Sequence, residues 1–85
     1  MVPEVDESSI GVDDAAHTLF AVGREGGWPA STFRTKLLEA MVTADVIGLD
    51  RIAAGFPGLV AAYRLAKSGD EGQARLRKLI SESEA

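Results

Sequence analysis

Residues 30–44, ASTFRTKLLEAMVTA, decide the fold. Phe33, Leu37, Leu38, Ala40, Met41 and Ala44 recur at spacings of three and four, while Arg34, Thr35, Lys36, Glu39 and Thr43 fall largely elsewhere on the same wheel. That is the period of a helix with one apolar side, and Ser31 or Thr32 can cap its start. No strand-like alternation competes with it here or elsewhere in the chain.

Working downstream, Asp45 can start a third helix over about residues 46–55, with Ile47, Leu49, Ile52 and Ala53 as its apolar set. Gly55-Phe56-Pro57 must turn, because the residue before proline resists the helical region, while proline suits a first helical position. A fourth helix over 57–67 follows, with Leu59, Val60, Tyr63 and Ala66 on one side. Ser68-Gly69 closes it, since glycine tolerates the left-handed conformation that ends helices. Asp70 is expected to cap a last helix near 71–81, in which Asp70-x-x-Gln73 resembles a capping box and Leu76, Leu79 and Ile80 form the stripe.

Upstream, Trp28-Pro29 and the run Gly23-Arg24-Glu25-Gly26-Gly27 interrupt regular structure. A first helix over about 13–23 precedes them, with Asp13 and Asp14 at its start and Ala15, Ala16, Leu19 and Phe20 at helical spacing. Residues 1–12 carry Pro3, Gly11 and few large apolar side chains. The expected architecture is all-α: a compact orthogonal bundle of four or five short helices in a single domain over 13–85, with residues 1–12 as a flexible acidic arm.

Composition narrows the function classes. The 85 residues have no cysteine and one histidine, so neither a disulfide nor a cysteine-based metal site can support a core this small. Oligomerisation is one way for such a chain to gain buried surface. Glu4, Asp6, Glu7, Asp13 and Asp14 place five acids and no base in the first fourteen residues of a chain whose net charge is −4. The body is mildly basic by comparison, and its acidic flanks serve solvation or shield a basic face. The start has acids where a secretory signal has bases, and the longest uncharged run, Ile52 to Tyr63, is too short for a bilayer. A cytoplasmic, non-membrane protein is the expectation.

Catalytic chemistry finds little support. His17 is the only candidate base; Asp13 and Asp14 stand four and three residues before it, which makes a surface ion pair or an incomplete metal site, and no nucleophile elbow accompanies them. The glycines before Ser31 miss the phosphate-loop pattern because Ala30 stands where its lysine belongs. No enzyme and no cofactor are therefore expected.

Two binding readings remain. Trp28 and Phe56 each precede a proline between helices, where an aromatic ring either plugs the core edge or anchors a partner. With Pro57 and Tyr63 they are the candidate protein contacts. The small residues of Ile52–Tyr63 would let a second helix approach, either from the same chain or from another copy. The alternative is a nucleic-acid accessory role for Arg64, Lys67, Arg75, Arg77 and Lys78. Against it, a recognition helix beginning Pro-Gly-Leu-Val-Ala-Ala offers nothing polar to base edges.

The strings Gly27-Trp28-Pro29-Ala30-Ser31-Thr32-Phe33, Leu37-Leu38-Glu39-Ala40, Ala44-Asp45, Gly55-Phe56-Pro57-Gly58-Leu59-Val60-Ala61-Ala62 and Leu76-Arg77 resemble small accessory proteins of actinobacteriophages and prophages. The resemblance spans about residues 27–80 and leaves residues 1–26 without a counterpart. It implies no catalytic residue or cofactor. The context it implies is a small protein that binds a host or phage protein, or assembles with itself as a homo-oligomer, in the host cytoplasm.

Overall fold

Pro57 to Tyr63 carries no charge on any side, and a helix without a polar face must be surrounded. The computed structural model, which describes residues 3–84, shows how. A 3₁₀ turn at Glu7–Ser9 is followed by α1 (Val12–Ala21), α2 (Thr32–Thr43), α3 (Val46–Gly55), α4 (Pro57–Lys67) and α5 (Asp70–Glu84), with no strand among the described residues. Helix α4 lies at the centre of this all-α bundle, packed by α1, α5, α3 and the 3₁₀ turn.

Its two sides feed two clusters. Ala61, Ala62, Leu65 and Ala66 face α1 and α5, where they meet Ala15, Ala16, Leu19, Leu76 and Ile80. Leu59, Val60 and Tyr63 face the other way, toward Leu38 and Met41 of α2, with Leu49, Ile52 and Phe56 around them. Leu19, Leu59, Leu65 and Leu76 are fully buried, and each contributes about 1.5–3 kcal/mol by leaving water.

The small residues of α4 serve contacts within the chain. A Cβ on Gly58 would run into the Ser9 carbonyl and the Asp14 carboxylate, so the start of α4 can sit directly on the 3₁₀ turn and the start of α1. The Ile52–Tyr63 stretch is thus consumed by the chain's own elements from Gly58 onward.

Local chemistry sets the helix ends. Ser31 Oγ accepts from the Arg34 N–H (3.4 Å) and Asp45 Oδ1 from the Gly48 N–H (2.7 Å), which caps α2 and α3. Asp14, in the first turn of α1, accepts from the Gly11 N–H (3.0 Å). Gly69 takes φ of +114° between α4 and α5.

The expected Asp70-to-Gln73 box does not form. Asp70 is already inside α5, and the buried Gln73 side chain donates to the Ala66 carbonyl (3.1 Å), tying α5 to the C-terminal end of α4. An orphan carbonyl at a helix end is a stronger claim on a buried amide than a solvated cap.

Two segments outside the α-helices make contacts with the bundle. Residues 3–10 pack along α4: Ile10 is buried, Val5 lies against the first cluster, and Glu7 pairs with Arg75 (2.8 Å). The glycine run after α1 crosses back over that helix. A Cβ on Gly27 would strike the Ala16 carbonyl, which accepts from the Trp28 N–H (3.3 Å), and Arg77 Nε donates to the Glu25 carbonyl (2.9 Å).

Candidate interaction surface

The contact residues expected from sequence separate once placed. Tyr63 is 5% exposed and belongs to the second cluster, because its position on α4 turns it toward α2 and α3. It is a core residue rather than a presented anchor. Phe56, half-buried, plugs the edge of the same cluster, with its ring 6.0 Å from that of Phe33 at 49°. Pro57 is exposed at the first turn of α4, and Trp28 is exposed over the crossing loop. These four do not make one face.

The strongly exposed apolar side chains lie elsewhere. Val42 at the end of α2 and Val46 and Ile47 at the start of α3 are 63%, 73% and 63% exposed, and Phe20 and Phe33 are also more than half exposed. On α2, Arg34, Leu38 and Met41 share the inward side, which puts Phe33 on one flank and Val42 on the other. Phe33 therefore borders the α3–α4 seam beside Phe56. Val42 shares a groove of about 210 Å³ with His17, Phe20 and Leu38 between α1 and α2.

A larger groove, about 560 Å³, opens where α2 ends and α3 begins, over the C-terminal half of α4. Met41, Val42, Ala44, Leu49 and Tyr63 supply its apolar surface, with Arg64, Lys67 and Ser68 on the α4 side. Val42 borders both grooves. Sequence periodicity did not single out this corner: Val42 falls outside the apolar stripe read for its helix, and Ile47 was counted inside the apolar set of the next.

The basic residues do not gather into one patch either. Arg64 pairs with Asp50 of α3 (3.0 Å), Arg75 with Glu7 and more loosely with Glu71 (3.9 Å), and Arg77 is spent on the Glu25 carbonyl. Lys78 and Arg75 line one depression, together with Glu7 and Glu82. Lys67 places its ammonium 5.9 Å from the centre of the Tyr63 ring. The acids of this chain occupy much of the charge a phosphate backbone would need.

His17 shares the smaller groove with Thr35 and Glu39 of α2. Asp14 is engaged by Arg34, His17 Nδ1 reaches no protein hydrogen-bond partner, and no cluster of three metal-ligating side chains exists among the described residues. No described helix is long and apolar enough to cross a membrane.

No family model, curated protein or solved structure matches this chain. The resemblance to phage accessory proteins accordingly rests on the sequence strings alone.

Proposed function

We propose that this protein is a non-enzymatic helical protein–protein interaction module, which self-associates or binds a host or phage protein through the corner between α2 and α3. One observation carries the reading: Val42, 63% exposed, lines a groove with an apolar floor, and Val46 and Ile47, 73% and 63% exposed, stand a few residues on at the start of α3. Large exposed apolar groups beside a concave surface are what interfaces bury. Tyr63 belongs to the floor of this groove as well as to the second cluster, and Phe56 lies at the edge of that cluster.

Light scattering coupled to size-exclusion chromatography over a hundredfold range of concentration, about 1 µM to 100 µM, tests it first, because weak assemblies populate in that range. The expected result is reversible assembly that Val46→Glu and Ile47→Glu abolish with unchanged helical circular dichroism. Assembly that persists in both variants places the interface elsewhere. A strict monomer removes self-association and leaves a foreign protein as the partner.

A further inference from the structure

The larger groove has a charge pattern that its apolar floor does not explain. In a chain with thirteen acids and nine bases, its lining contains Arg64 and Lys67 and no carboxylate. Arg64 is shared with Asp50, whereas Lys67 makes no ion pair among the described residues and is held over the Tyr63 ring at the groove wall. Cations in the last turn of α4 also answer that helix's dipole, but this role would be met equally by side chains pointing away from the groove. Here they border Met41, Val42 and Leu49.

A second observation points the same way. The chain's own acidic N-terminal segment runs along this rim: Pro3 touches the groove, and Glu4, Val5 and Asp6 continue into the adjoining cleft, where they share Arg64. A segment that alternates small apolar and acidic residues thus already lies against the cationic edge, leaving the apolar floor beside it open.

We infer that the groove receives an acidic amphipathic segment of a partner protein, with apolar side chains on Val42, Ala44 and Leu49 and carboxylates toward Lys67 and Arg64. This rests on the interaction reading above and adds the chemistry of the partner. Apolar contact supplies the affinity, and the two cations supply the sign of the charge that is accepted.

The test uses the full chain and two labelled twelve-residue helical peptides with one identical Leu/Phe face, one bearing Glu and the other Lys on the polar face, followed by fluorescence anisotropy. The Glu peptide should bind roughly tenfold tighter at low salt, and 0.5 M NaCl should shrink the difference. Lys67→Glu should erase or invert the preference, and Val42→Glu should weaken both peptides; both positions are exposed, so neither variant threatens the fold. Equal binding of the two peptides, or a preference that survives Lys67→Glu, overturns the inference while the interaction reading stands. Binding of neither peptide overturns it as well, and the light-scattering result then decides the interaction reading separately.

Discussion

Helices α1, α4 and α5 each pack against the other two, whereas α3 leans on α4 and α2 bridges α1 and α3 while sending Leu38 and Met41 inward. The first group closes on itself with alanines that let backbones approach and leucines that fill the middle. The second group has less to hold it. Its attachment to α1 includes the Asp14–Arg34 pair beside a groove that Phe20, Leu38 and Val42 leave unfilled, and both Arg34 Nε and His17 Nδ1 lack a protein partner. Most of the strongly exposed apolar side chains belong to the loosely held layer, including Phe33, Val42, Val46 and Ile47. The difference teaches where binding can occur without dismantling the fold: the side that is incompletely packed is also the side that can accept more contacts.

That contrast is open to attack by substitution. The largest effect is expected from Leu65→Ala, which empties the centre of the first cluster: a loss of about 3–4 kcal/mol in denaturant unfolding, with amide protection falling throughout the chain. Met41→Ala removes a comparably buried side chain from the second cluster, yet should cost nearer 2 kcal/mol. Hydrogen exchange should show its loss of protection confined to α2 and α3. Equal, chain-wide loss in both variants would show that the two halves unfold as one.

A smaller effect belongs to Asp14→Asn, which weakens the partly buried pair with Arg34 while leaving an acceptor for the Gly11 N–H. We expect about 1 kcal/mol and selective fraying of α2, read by exchange at its amides. The exposed Glu7–Arg75 pair marks the bottom of the scale: Arg75→Ala should shift stability by less than about 0.5 kcal/mol, measured at low salt where such pairs count most. A drop of several kcal/mol would mean that residues 3–10 clamp the bundle rather than merely lie on it.

Much of this fold was legible in the letters. The helix expected over about 46–55 and that over about 57–67 agree with α3 and α4, and α2 is shorter than the expected 30–44 at both ends, starting at Thr32 behind the Ser31 cap and stopping at Thr43. Helix α5 runs on to Glu84 because nothing after Ile80 breaks it, the last residues being Ser and Glu that a solvated helix end tolerates. The site was less legible. Tyr63 and Phe56 were plausible anchors because aromatic rings serve cores and interfaces alike, and the choice between those uses depends on what faces them. Ile47 was counted with the apolar set of its helix, and Val42 and Val46 fell outside the sets, where a single apolar residue carries no signal of its own.

Helix positions were available locally: their hydrogen bonds join residues four apart, and the caps at Ser31 and Asp45, the turn at Phe56-Pro57 and the stop at Gly69 act within one turn. Partners distant in the chain were not. That Asp14 meets Arg34, that Glu7 meets Arg75, and that Gln73 turns from its own helix start to the Ala66 carbonyl all follow from how α4 is surrounded. The outward turn of Val42 and Ile47 has the same origin. Periodicity specifies which side of a helix is apolar, but the packing of the other helices determines how much of that side is covered.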